Sequence, residues 1–156
     1  MKILILDQLG CYAAVAAASY LVGIIDEKPT VMEIYNLPCF AAHHDLQVGR
    51  IYYIGKDSKG DDYYSLGVGK EEQLMIRSVQ DFLNIIGSQG SVRIIGVSLY
   101  NPFILSILTY FVLCYPLRNI SKRASACILK MRFAELIKKL KTELKIEFTD
   151  PTRDMA

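Results

Sequence analysis

The residues whose types and spacing could do most chemistry are Asp7-Gln8-Leu9-Gly10-Cys11-Tyr12, a carboxylate and a thiol set four apart around one glycine. They stand between an unbroken apolar run, Ile3 to Leu6, and an alanine-rich run, Ala13 to Ala18. A turn from the end of a strand into the start of a helix offers free backbone N–H groups and the positive end of the helix dipole to an anion. A cysteine placed there can have a lowered pKa and act as a nucleophile. With Asp7 or Cys11 as the reactive group, the turn could serve a small phosphoester- or nucleotide-handling enzyme.

The same spacing lacks the better-defined versions of that chemistry. The turn has one glycine, no Lys followed by Ser or Thr, and no Gly-x-Gly-x-x-Gly, so neither a P-loop nor a dinucleotide fingerprint is present. A cysteine phosphatase loop needs an arginine six residues beyond its cysteine, where this chain has Ala17. The helix dipole alone contributes about 0.3 to 1 kcal/mol, less than one pKa unit, so Cys11 is expected to stay a protonated thiol and not to act as a catalytic nucleophile. The ligand-binding candidates are then Asp7, Gly10, Cys11, Tyr12 and, from a later strand-to-helix turn, Asn101. No catalytic residue is assigned.

His43-His44-Asp45 adds two imidazoles, but adjacent side chains rarely converge on one metal ion. The four cysteines, Cys11, Cys39, Cys114 and Cys127, show no C-x-x-C and no zinc spacing. The expectation is no metal and no cofactor, with reduced thiols in a cytoplasmic protein. Asp7 and Gln8 cut the apolar start to four residues, too short for the core of a secretion signal.

The elements that must hold the turn follow from periodicity. Ile3 to Leu6 has no polar alternation, the pattern of a strand covered on both faces in a parallel sheet. Ala13 to Ala18 supplies a crossover helix whose small side chains can lie close to that sheet, with Gly23 at its left-handed cap. A short helix, Val31 to Asn36, lies between Thr30 and Leu37-Pro38. Gly49 to Gly67 reads as a hairpin around Asp57-Ser58-Lys59-Gly60, a type I turn with Gly60 at positive φ and a bulge. Tyr52, Tyr53, Tyr63 and Tyr64 put aromatics on both faces of that ribbon, suited to cross-strand packing. No Arg-aromatic interleaving accompanies them, so nucleic acid is not an expected partner.

Lys70 to Ile86 follows as an amphipathic helix with Met75, Val79, Phe82, Leu83 and Ile86 on one face, and Val92 to Val97 as a second buried strand. Asn101 and Pro102 open the next helix. Phe103 to Tyr115 is apolar all round, but its thirteen residues fall short of the roughly twenty that cross a bilayer, so integral membrane insertion is not expected. Ala124 to Leu129 reads as a last short strand, and Phe133, Leu136, Ile137, Leu140 and Leu144 as the face of a final helix. The expected architecture is an α/β, three-layer, Rossmann-like domain with a partly parallel sheet and an inserted β-hairpin. It spans residues 1–147, with 148–156 as a loose tail.

Length and composition agree with one such domain: 156 residues, 52% apolar and 22% charged. The net charge of +2 hides an uneven distribution, because Arg118 to Lys145 carries nine basic and two acidic residues while residues 1–117 carry eight basic and eleven acidic. A basic segment of that kind meets a nucleic acid, an acidic protein or a membrane surface, or is simply a solvated helix face opposite an apolar stripe; for the chain as a whole, a protein or an anionic small molecule is the partner class left open. A peripheral membrane protein using the apolar helix and the basic segment is therefore a further alternative.

These motifs together resemble, over nearly the whole chain, a bacterial family known as domain of unknown function 3189, met chiefly in spore-forming Gram-positive bacteria. The resemblance is carried by the hairpin GRIYYIGKDSKGDDYYSLG, the opening MKILI with Gly10 and VAAASYLVG, and Leu37-Pro38-Cys39-Phe40. Where the family's first turn reads roughly Cys-Tyr-Gly-Gly-x-His-Ser-Ser, this chain has Asp7-Gln8-Leu9-Gly10-Cys11-Tyr12-Ala13-Ala14. A Ser-Arg-Arg of the family's penultimate helix is replaced by Leu113-Cys114-Tyr115. The resemblance implies a link to sporulation and names no reaction. The hydroxyls and imidazole that could grip an anion are absent, and the residues read best as a non-catalytic binding or regulatory domain.

Overall fold

The strand expected to be buried on both faces is the centre of the sheet. In the computed structural model, which describes residues 1–42, 49–69, 71–88, 90–97 and 118–148, β1 (Lys2–Asp7) pairs in parallel with β3 (Asp62–Gly67) on one side and β4 (Val92–Gly96) on the other. β2 (Ile51–Lys56) completes the order β2-β3-β1-β4, antiparallel to β3. The hairpin is therefore more than an insertion, because its second strand is an interior parallel strand. The expectations for His43-His44-Asp45, Asn101, Phe103 to Tyr115 and 149–156 lie outside the described residues.

Alternation along β1 sorts the core into two layers. Ile3 and Ile5 face α1 (Ala13–Val22), α2 (Val31–Tyr35) and α4 (Arg118–Phe148), while Leu4 and Leu6 face α3 (Glu72–Ile85) together with Leu66 and Val68. Helices thus lie on both faces of a sheet whose parallel strands run β3-β1-β4.

Local signals set the ends of most elements. Gly23 caps α1 in the left-handed region at φ 84°. Thr30 and Glu33 form a capping box on α2, each side chain accepting from the other's backbone N–H. Gly60 has φ 88°, with its N–H donating to the carbonyl of Asp57, as the type I turn requires. The tyrosines pack as a sheet ladder: the Tyr53 and Tyr64 rings are 5.3 Å apart, and the Tyr63 hydroxyl donates to Asp57 Oδ2. A further register shift between Tyr53 and Gly55 coincides with a glycine inside the strand, a common mark of a bulge.

Two expectations are corrected. Ala124 to Leu129 is not a strand: α4 runs unbroken for 31 residues. Ser125, Ala126, Leu129, Phe133, Leu136, Ile137 and Leu140 are all buried, so one helical period crosses the supposed strand. No Gly or Pro interrupts it between Arg118 and Phe148. On α3, Phe82 and Ile86 are exposed rather than inward. The inward face runs through Glu72, Met75 and Ile76, turned because the Glu72 carboxylate is seated against Gly96 at the end of β4.

Candidate functional site

The turn between β1 and α1 is held shut from three directions. The first is its own carboxylate. Asp7 Oδ1 accepts from the backbone N–H groups of Leu9, at 2.9 Å, and Gly10, and Oδ2 accepts from that of Ala14 at 2.8 Å. α1 has no capping side chain at Tyr12, the residue just before it; the role falls to Asp7, five residues further back. The amide donors and dipole end that could hold an external anion therefore already hold an internal one.

The second direction is the neighbouring strand end. Gly10, at φ 73°, lies so close to Gly67 that a Cβ on it would overlap the Gly67 backbone nitrogen, and a Cβ on Gly67 would stand 2.8 Å from the Leu9 carbonyl. Val68 and Gly69 donate at 2.9 Å to the carbonyls of Asp7 and Gln8. Two glycines with no side chains are thus what lets the turn and the β3 end knit together.

The third is Tyr12, only 1% exposed, whose ring meets Phe40 edge-on at 5.5 Å. Cys11 is buried beside it, and its carbonyl accepts from Ala41 N–H. The segment that closes over it bends through two non-glycine residues with positive φ, Cys39 at 61° and Ala41 at 52°.

Electrostatics follow from this closure. Burial pushes the Asp7 carboxyl above its ordinary range, opposed by the N–H groups of Ala14, Gly10, Leu9 and Ala13. Burial first, and then the Asp7 charge, push the Cys11 thiol well above the usual cysteine range. A cysteine at a helix amino end is ordinarily activated; here burial, with the Asp7 carboxylate second, reverses the sign.

Asp7, Gly10, Cys11 and Tyr12 are thus brought together, but facing inward. Asn101 lies outside the described residues. β4 does end beside β1, with Val97 N–H donating to the carbonyl of Leu6. The residue that periodicity missed is Glu72, 9% exposed at the start of α3. A Cβ on Gly96 would overlap its carboxylate, so the glycine is the signal, readable only once α3 and β4 are known to touch. Glu72 and Asp7 lie on opposite faces of the sheet, one with α3 and the other with α1, so they do not form an acid-base pair. Among the described residues no cluster of three metal-ligating side chains occurs, and no helix is long and apolar enough to cross a membrane.

A family model described as Protein of unknown function (DUF3189) matches residues 2–144. No curated protein and no solved structure matches the chain.

Proposed function

The chain belongs to the DUF3189 family, and from that premise we propose that it is a non-catalytic binding or regulatory domain. What carries the reading is the self-occupied turn: at the place where α/β sheets usually hold a ligand, Asp7 takes the amides of Leu9, Gly10 and Ala14 for itself. Cys11 is buried and its thiol disfavours ionisation, which removes the most obvious nucleophile. The order of the parallel strands supports treating the domain as Rossmann-like. A cytoplasmic setting is supported by free Cys11, Cys39 and Cys127, and a sporulation role by the family resemblance alone.

Two measurements test this reading. Backbone amide resonances of Leu9, Gly10 and Ala14 are followed while inorganic phosphate and then a nucleoside triphosphate are titrated to millimolar concentration. No saturable shift is expected, and a saturable one restores the enzyme alternative. Iodoacetamide trapping with mass spectrometry then compares Cys11 with exposed Cys127 in the same molecule. Cys11 is expected to react at least about tenfold more slowly, since both burial and a raised pKa protect it; equal rates would overturn the reading.

A further inference from the structure

We propose that the outer face of α4 is a docking surface for an amphipathic helix with acidic flanks, carried by another protein. The inference rests on the binding reading above and gives it a surface and a partner class.

The inner face of α4 is used by the core through Ala126, Leu129, Phe133, Leu136, Ile137 and Leu140. On the opposite side Ile120, Ala124, Cys127, Met131 and Ala134 follow one another at alternating steps of four and three. That is the spacing of a seam made for another helix. Ile120 and Met131 are 66% and 84% exposed, so none of the described residues covers their side chains. The residues between them are small, which allows a second helix backbone to come near. From Ile120 to Ala134 the seam is about 21 Å long, four turns of a partner helix.

Charge selects among possible occupants. Arg123 and Lys130 are exposed beside the seam and Lys138 at its next step, against the exposed acidic Glu135, in a segment that carries nine basic residues and two acidic ones. A second copy would bring two such segments together in either orientation, with like charges opposed. A bilayer surface favours bulky residues such as Trp, Phe or Leu on the apolar face. Here only Ile120 and Met131 are large, and two small residues, Ala124 and Cys127, separate them. A helix with apolar residues at the matching spacing and Glu or Asp beside them satisfies both the seam and its rim.

The test uses two synthetic 21-residue peptides with leucine at the seam positions, one with glutamate at the flanks and the other with lysine. The glutamate peptide is expected to bind the full chain, and at saturation to slow iodoacetamide labelling of Cys127 at least about fivefold while leaving Cys39 unchanged. Met131→Glu, with its fold checked by circular dichroism, should weaken that binding about tenfold or more, as loss of a central apolar anchor does. Arg123→Glu combined with Lys130→Glu should weaken it and flatten its salt dependence. The proposal fails if the glutamate peptide does not bind at millimolar concentration, if the lysine peptide binds equally, or if Met131→Glu has no effect. It also fails if Met131→Glu instead abolishes self-association in sedimentation, or flotation with phosphatidylglycerol vesicles. Phosphate-induced shifts at Leu9 and Gly10, by contrast, would overturn the non-catalytic reading and leave the α4 result to stand on its own.

Discussion

The amino end of α1 and the outer face of α4 distribute their residues in opposite ways. Around α1 a carboxylate, a thiol, a phenol and several amides face inward, and the fold consumes them: Asp7, Cys11 and Tyr12 are all buried. Along α4 the outward residues include an isoleucine, a methionine and alanines, and Ile120 and Met131 are left to water. Reactive residue types are therefore a poor guide to which groups are available. Availability is decided by what the backbone around them already requires, and at the first turn it requires an acceptor for three N–H groups.

The contrast is broken most forcefully at Gly10. Gly10→Ala places a Cβ into the Gly67 backbone at a position with φ 73°, and is expected to cost about 3 kcal/mol or more, from backbone strain and overpacking together. A urea midpoint equal to that of the unmodified protein would show that the turn is loosely held after all. Asp7→Ala comes next. It leaves the N–H groups of Leu9, Gly10 and Ala14 without their acceptor, a loss of about 2 kcal/mol measured at pH 5. If phosphate then restores stability in the variant alone, the empty turn is an anion site that Asp7 had occupied.

Asp7→Asn sharpens the electrostatic side. Because the folded-state pKa of Asp7 is raised, its protonation contributes stability that is complete below the unfolded-state value of about 3.9 and is lost as pH rises through the folded value. The unmodified protein should therefore lose stability relative to Asp7→Asn as pH climbs from 4 to 7. A difference that moves the other way would mean that the N–H donors outweigh burial. The smallest effect is expected on the other side of the comparison. Met131→Glu should change stability by no more than about 0.5 kcal/mol, since an exposed helix position away from the core is usually neutral. A larger loss would mean that the face is already occupied.

What could be read from the sequence was whatever depends on near neighbours. Thr30 announces the start of a short helix, Gly23 a helix cap, and Asp57 with Gly60 a turn, and each is found. Ile3 to Leu6 announces a strand covered on both faces, and β1 is that strand. What escaped depends on partners distant in the chain. That β3 lies between β2 and β1, with its end knitted to Gly10, rests on two glycines 57 positions apart. The burial of Glu72 depends on Gly96, so a residue with an ordinary polar-face address sits in the interior. The supposed strand at Ala124 to Leu129 failed for another reason. Six residues are too few to separate a strand from a helix segment, and the surrounding 3.6-residue period decides.

The position of β1 at the middle of the sheet bears on how the chain is made. Its register partners are Asp62 to Gly67 on one side and Val92 to Gly96 on the other. During synthesis from the amino end, Ile3-Leu4-Ile5-Leu6 emerges before both of its partner strands, and cannot pair with them until they follow. At roughly 5 to 20 residues per second, that interval is on the order of ten seconds. A short, uncharged, β-favouring run with both edges open is a template for other nascent chains. The yield of native protein in the cell therefore depends on what shields that run during translation, a demand that the finished sheet, with the run at its centre, no longer displays.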